Sequence, residues 1–191
     1  TPDYILPPVA TQLQHRLGCR NIAAFDVHAT CAGFITALHT ATQFVRNGVY
    51  QNVLVVGADA LSRITNYEDR GTCILFSDGA GAWILSADNT HPSKGIMDAA
   101  VHAEGEHLQL LYVPGGGSRN PYRKKPDELP YIQMEGNKVF KLAVNAMTQT
   151  VKETMAKNGM TPEEIDWVIP HQANQRIIDA VAKNLGVQDK V

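Results

Sequence analysis

The chain has 191 residues, of which 44% are hydrophobic and 19% charged, and a formal net charge of −2. These values fit a globular protein of one domain or somewhat more, and they give no reason to expect nucleic acid or a membrane as a partner. No apolar run approaches the ~20 residues of a transmembrane helix. The three cysteines form no CxxC pair, which favours a reducing compartment, so we expect a cytoplasmic protein.

The first 60 residues alternate between helical and strand-like patterns. Apolar residues at helical spacing predict a helix over residues 9–17, with Gly18 just past its end. A second helix is predicted over residues 31–47. Continuous apolar runs at residues 22–27 and 53–56 predict buried strands on either side of it. A strand, a helix and a strand at this spacing predict a βαβ unit and an α/β fold.

The next segment is predicted to form a hairpin. Residues 73–76 and 82–85 are apolar and short, and the Gly-rich residues 77–81 between them resemble a turn.

The remainder of the chain repeats the alternation more loosely. Strand-like runs fill residues 96–113, and a loop containing the basic sequence RKK fills residues 114–130. The elements predicted after this loop are a long amphipathic helix ended by Gly159, a capping box at residues 161–164, a strand at 167–169 and a helix at 174–185.

Cys31 follows the first predicted strand and opens the second predicted helix. The free N–H groups at a helix N-terminus favour a thiolate, and the small neighbours Ala29, Ala32 and Gly33 leave room for a ligand. From position alone, two interpretations stay open: a nucleophile, or a buried core cysteine.

His171 follows the predicted strand 167–169 in the sequence PHQAN. Sites in α/β proteins commonly lie at the carboxyl ends of strands, so His171 is a candidate, although an isolated histidine at such a position favours the interpretation of an ordinary loop residue. The sequence HAEGEH at 102–107 has no regular metal-ligand spacing, and we interpret it as a solvated polar segment without a metal.

Six motifs together resemble the β-ketoacyl-acyl-carrier-protein synthase III family of the thiolase-like superfamily. They occur in the order DVHATCAGF, VLVVGADALSR, DRGT, FSDGAGAWIL, MEGNKVFKLAV and WVIPHQANQRII. The resemblance implies a five-layer αβαβα fold of two similar halves, here residues 1–93 with the nucleophile and 94–191 with the histidine. It also implies a homodimer.

The resemblance implies an acyltransferase that primes type II fatty-acid synthesis without a cofactor. An acyl group passes from acyl-CoA, a substrate, to Cys31, and malonyl acyl carrier protein then loses CO2 and condenses with the thioester. His171 is the residue implied to steer decarboxylation. The resemblance also implies further site residues: Arg70, Phe76, Gly136 and Asn174 contact CoA, Leu6 lines the acyl pocket, and Arg176 docks the carrier protein.

Two departures from the family accompany these expectations. The family's catalytic asparagine and its Gly-rich oxyanion segment would follow Val191. We therefore expect the 191 residues to be the middle part of a longer enzyme, without its two ends. Leu6 stands where members primed with acetyl groups often have Phe, which leaves the primer length open. A synthase of secondary metabolism with another primer and a non-catalytic thiolase-fold subunit remain the alternatives.

Overall fold

The computed structural model describes residues 1–91, 94–121 and 130–191, and within them the chain forms two compact units. The first unit contains Thr1–Leu61 and Ser77–Met97, and the second contains Ser62–Phe76 and Asp98–Val191. The division into family halves at residues 93 and 94 stays a prediction. The predicted RKK loop segment, residues 123–125, lies outside the described residues.

The first unit contains two helices and one antiparallel sheet. Its elements are α1 (Val9–Arg16), a 3-10 turn at Thr30–Ala32, α2 (Gly33–Arg46), β1 (Asn52–Ala60) and β2 (Asp78–Ser86). Both predicted helices are confirmed, although α2 begins two residues later than expected. Gly48 ends α2 with a φ of +68°, a left-handed conformation that costs glycine little because it has no Cβ.

The strand β1 pairs with β2 over nine residue pairs, from Asn52 opposite Ser86 to Ala60 opposite Asp78. The predicted hairpin is therefore wrong. Residues 73–76 lie in a turn region and form no strand, and most of the predicted turn, residues 77–81, belongs to β2. The glycines of this segment are strand residues, since Gly81 lies directly opposite Gly57 in the ladder.

The two other apolar runs that predicted strands, residues 22–27 and 167–169, form no strand either. A strand exists only when a neighbour supplies hydrogen bonds, and among residues 1–91, 94–121 and 130–191 neither run has a ladder partner. Phe25 is 51% exposed and Ile169 is 87% exposed, so they are not buried strands. The predicted parallel pairing around α2 is consequently absent from the described part of the chain.

The second unit is built on two helices that pack together. Its elements are 3-10 turns at Gly105–Leu110 and Pro162–Glu164, the short strands β3 (Leu111–Tyr112) and β4 (Gln133–Met134), and the helices α3 (Gly136–Lys157) and α4 (Gln175–Leu185). A further 3-10 turn, Leu61–Arg63, spans the point in the chain where the first unit ends and the second begins. The predicted strands of residues 96–113 reduce to β3, which pairs with β4. The segment 62–76 joins this unit through the Ile132 N–H, which donates to the Ile64 carbonyl at 2.9 Å.

The core of the second unit confirms the predicted helical stripes. Ile177, Val181 and Leu185 lie on one face of α4 and pack with Val144 of α3. The predicted capping box is also present, because the Thr161 N–H donates to Glu164 Oε2 at 2.8 Å, although the helix that follows is a single 3-10 turn. Helix α4 begins at Gln175, just after the PHQAN sequence, so this core fixes the start of that helix.

No described helix has both the length and the apolar character that crossing a bilayer requires.

Candidate active site

Cys31 lies in the middle of the 3-10 turn Thr30–Ala32, directly before α2. The Ala32 N–H donates to the Ala29 carbonyl at 3.0 Å, and the Thr36 hydroxyl donates to the Ala32 carbonyl at 2.8 Å. The first bond closes the turn, and the second connects the turn to α2. Cys31 is exposed to solvent, so this turn presents the thiol at the surface of the chain.

The residue before Cys31 has an unusual backbone conformation. Thr30 has a φ of +46°, which is rare for a β-branched residue because its side chain crowds the backbone. A conformation of this kind costs about 1–3 kcal/mol and persists only where the surroundings enforce it. The strain adjoins the candidate nucleophile, and nothing in the local sequence predicts it beyond the position next to Cys31.

The electrostatics of Cys31 differ from the sequence argument. Burial of the thiol raises the pKa of Cys31, the Asp59 carboxylate raises it further, and a hydrogen bond from the Cys31 backbone lowers it. Although the residue has an accessible surface, the surrounding protein is dense enough for desolvation to be the largest of these effects. Burial and the Asp59 carboxylate therefore oppose the expected effect of the helix N-terminus and hold the pKa of the Cys31 thiol above its ordinary value.

His171 lies in the segment that leads into α4, and its side chain is exposed. Asn174 is the N-cap of that helix, since its Oδ1 accepts a hydrogen bond from the Arg176 N–H at 2.9 Å. This contact stabilises the helix start and fixes the backbone three residues after His171. Asn174 thus has a structural role that the sequence analysis did not assign.

Arg176 is exposed in the first turn of α4, and its guanidinium carbon lies 5.6 Å from the centroid of the Phe140 ring. This is a cation–π distance. Phe140 packs against the core of the second unit, so the guanidinium is held near one position on the surface while it remains accessible. Lys183, near the other end of α4, is also exposed.

Arg70 occupies a turn that the Asp69 side chain stabilises. Asp69 accepts hydrogen bonds from the Thr72 hydroxyl at 2.8 Å and the Gly71 N–H at 2.9 Å, and these bonds hold the pKa of its carboxyl below the usual value. Arg70 itself is exposed and makes no ion pair within the described ranges. Phe76 is half-buried at the end of the same segment.

Gly136 is the first residue of α3 and is exposed. A Cβ added there would meet only the Met134 Cε, at 3.5 Å, which is an ordinary van der Waals contact. The protein itself therefore does not require a glycine at this position. Leu6, in the first unit, is 77% exposed.

The candidate residues divide between the two units. Cys31 and Leu6 belong to the first, and the other six belong to the second. Within the second unit, His171 and Asn174 of the PHQAN segment and Arg176 of α4 lie close together along the chain, around the start of α4. In the described part of the chain, no group of three His, Cys, Asp or Glu side chains is suited to hold a metal ion.

Comparison with known proteins connects these residues to a family. The family described as 3-oxoacyl-[acyl-carrier-protein] synthase III matches residues 25–105, and the C-terminal part of the same synthase matches residues 155–191. Together the two ranges include more than half of the chain. The chain belongs to the 3-oxoacyl-[acyl-carrier-protein] synthase III family. Six of the eight candidate residues lie within the matched ranges, and Leu6 and Gly136 lie outside them.

Individual synthase III proteins match nearly the whole chain. A curated synthase III of Rhodobacter capsulatus is 46% identical over 98% of the chain, which spans 57% of that relative's length. The crystal structure of the synthase III from Aquifex aeolicus VF5 is 39% identical, with a TM-score of 0.89 over all of this chain and 57% of its own. The fold is therefore the thiolase-like α/β fold of synthase III.

A third similar structure belongs to a polyketide pathway. The priming β-ketosynthase of the R1128 polyketide biosynthetic pathway is 30% identical to this chain, with a TM-score of 0.85. The match includes 100% of this chain and 56% of the ketosynthase. The fold of this chain is thus shared with a priming ketosynthase of a polyketide pathway as well.

Proposed function

We propose that the protein carrying this chain is a condensing enzyme that primes type II fatty-acid synthesis. The observation that carries the proposal is Cys31, presented at the start of α2 by a strained turn inside a range that matches synthase III. Its sulfur attacks the acyl-CoA thioester, forms a new thioester and releases CoA as the thiol. Since burial and the Asp59 carboxylate raise the pKa of the Cys31 thiol, its proton must leave before or during this attack.

The second half-reaction uses malonyl acyl carrier protein. Cleavage of its carboxylate releases CO2 and leaves an electron pair on the adjacent carbon as an enolate. That carbon attacks the Cys31 thioester, and the sulfur departs, so the product is a 3-oxoacyl carrier protein. A donor held ready for the enolate oxygen lowers this barrier, and we assign that role to the His171 imidazole. The assignment is supported by its exposed position beside the Asn174 cap.

Two observations support the proposed CoA contacts. Arg70 presents a guanidinium on a turn held by Asp69, which suits contact with the adenine face or phosphates of CoA, and half-buried Phe76 ends the same segment. Gly136 and Asn174 are proposed to line the path of the pantetheine arm. No cofactor is needed for this chemistry, since the CoA thioester is itself the substrate.

The test is reconstitution of the complete protein with acyl-CoA esters of graded length and malonyl acyl carrier protein. We expect a 3-oxoacyl carrier protein to form, which mass spectrometry of the carrier protein detects. Absence of the product with every primer would contradict the proposal. The non-catalytic alternative predicts that absence, together with no acylation of Cys31.

A synthase of secondary metabolism is the second candidate, favoured by the match to the R1128 ketosynthase. The same series of primers separates it from the first.

Leu6 is smaller than Phe and is proposed to leave room for longer primers, each buried CH2 contributing about 0.8 kcal/mol. Leu6→Phe should then shift preference toward acetyl-CoA. An unchanged preference among primers would contradict the proposed placement of Leu6 in the acyl pocket.

Arg176→Ala should weaken the use of malonyl acyl carrier protein while leaving acyl transfer from CoA unchanged. An exposed guanidinium that meets an acidic partner accelerates encounter, and salt reduces this effect. The measurement is kcat/KM for the carrier protein at low and high salt. The control is Lys138→Ala, which removes an exposed lysine that pairs with Glu135 elsewhere in this unit. Equal loss in both half-reactions would place Arg176 in the active site instead.

Gly136→Ala should leave the melting temperature unchanged and raise the KM for acyl-CoA. The protein accommodates the added methyl at 3.5 Å from Met134, so any loss must come from the ligand. Thermal unfolding and acylation kinetics, measured on the same preparation, check both parts. Gly105→Ala is the control, because an added Cβ there meets nothing within 4 Å. An unchanged KM would exclude Gly136 from the CoA path.

We further propose a cytoplasmic homodimer. The free thiols of Cys19, Cys31 and Cys73 suit a reducing compartment. The neighbouring side chains of Ile5 and Leu6, 93% and 77% exposed, suit burial against a second copy. Analytical ultracentrifugation of the complete protein tests the dimer, and a monomer at micromolar concentration would refute it.

A further inference from the structure

Gly57 lies against the side chain of Phe34. A Cβ built on Gly57 would lie 3.1 Å from Phe34 Cδ2, 3.4 Å from its Cβ and 3.6 Å from its Cγ. The first of these distances is shorter than an ordinary carbon contact, so a methyl group at position 57 would require the ring to shift by a few tenths of an ångström. The strand backbone is therefore part of the surface on which Phe34 sits.

A second aromatic side chain contacts the same ring. Trp83 meets Phe34 edge to face, with ring centroids 5.5 Å apart and an interplanar angle of 86°. In the ladder, Gly57 pairs with Gly81 and Val55 pairs with Trp83, so these positions share one face of the sheet. Phe34 is thus fixed on the sheet by the gap at Gly57 and by the edge contact with Trp83.

Phe34 is the third residue after Cys31 and belongs to the first turn of α2. The turn that carries Cys31 is bonded to this helix start, and Thr30 holds its strained backbone immediately before it. Strain of this kind relaxes unless neighbouring contacts oppose it. The packing of Phe34 against Gly57 and Trp83 opposes such relaxation, because it fixes the start of α2, to which the turn is bonded.

We propose that Gly57 is a positioning residue for Cys31: by lacking a side chain it seats Phe34 on β1 and thereby fixes the turn that presents the thiol. This inference rests on the proposed function for its purpose, since it gives the nucleophile a defined orientation. Gly57 acts only through Phe34 and does not itself contact the reacting atoms.

The test is the rate at which iodoacetamide alkylates Cys31 in the complete protein, measured against pH by peptide mass spectrometry. Gly57→Ala should slow alkylation at neutral pH about tenfold and shift its pH midpoint, because displacement of the turn from β1 changes the orientation of the thiol together with its burial and its distance from Asp59, the two effects that raise its pKa. Alkylation of Cys19 and Cys73 should not change. These two thiols report any general loss of structure.

The matched control is Gly81→Ala. Gly81 is the cross-strand partner of Gly57, and an added Cβ there meets nothing within 4 Å, so the Cys31 profile should stay at the wild-type position. Adding Phe34→Leu to Gly57→Ala should restore much of the rate, because the smaller side chain leaves room for the methyl group. If Gly57→Ala proves unfolded, Trp83→Leu tests the packing of Phe34 at a residue that is 57% exposed. We expect this variant to slow alkylation of Cys31 roughly threefold.

An unchanged Cys31 profile in folded Gly57→Ala, equal slowing in Gly81→Ala, or no recovery in the double variant would overturn the proposal. Failure of the proposed function is a separate outcome, since alkylation requires no acyl-CoA. Suppose that acyl-CoA never acylates the wild type, but that the variants change the alkylation of Cys31 as expected. The proposed function would then be wrong, while the positioning role of Gly57 would stand.

Discussion

Cys31→Ala should abolish covalent labelling of the protein by acyl-CoA. The attack on the thioester requires a sulfur nucleophile, and Cys31 is the one that the turn before α2 presents. Decarboxylation of malonyl acyl carrier protein should persist at a measurable rate, because that step forms no bond to sulfur. Mass spectrometry of the intact protein after incubation with acyl-CoA gives the first result, and CO2 release from labelled malonyl carrier protein gives the second.

The other two cysteines provide matched controls. Cys19→Ala and Cys73→Ala remove half-buried thiols and should leave labelling intact. In the wild type, labelling should accelerate as pH rises, since burial and the Asp59 carboxylate raise the pKa of Cys31 and keep the thiolate scarce at neutral pH. A labelled Cys31→Ala protein would mean that another residue accepts the acyl group.

His171→Ala should slow decarboxylation on the order of 10²–10³-fold, the usual effect of losing one donor to a developing oxyanion. Acylation of Cys31 should continue, because that half-reaction does not form the enolate. The measurement compares CO2 release with the rate of acyl-enzyme formation in the same variant. A large fall in the first with a small change in the second assigns the histidine to the second half-reaction.

Two further variants sharpen this test. His171→Gln retains a hydrogen-bond donor and should recover part of the decarboxylation rate. His102→Ala removes another exposed histidine of the second unit, paired with Glu153 at 3.1 Å, and should have no effect. Decarboxylation at the wild-type rate in His171→Ala would show that the imidazole does not stabilise the enolate.

Helices were predictable from the sequence, and most strands were not. The helical stripe of α4 and its glycine stop are local features, and the helix forms at nearly the predicted positions. Residues 22–27 have an equally apolar sequence but find no partner strand among the described residues. Pairing depends on residues far away in the chain, so an apolar run alone does not determine whether a strand forms.

The candidate site shows the same limit. The position of Cys31 before a helix follows from the local sequence, and so does the placement of His171 ahead of α4. The raised pKa of the Cys31 thiol does not, because it depends on burial by the folded chain and on Asp59, which comes from β1, 28 residues later in the chain. The contact between Phe34 and Gly57 is likewise invisible until β1 lies against α2.

The assignment of the segment 62–76 to the second unit has a consequence for synthesis on the ribosome. The sheet of the first unit can close once β2 has emerged, since both of its strands lie before residue 87. The segment between those strands is made earlier than its own partners, and the carbonyl of Ile64 has no access to the Ile132 N–H until that residue has been translated. The turn that carries Arg70 is therefore completed as part of the later-folding unit, although it is encoded within the earlier one.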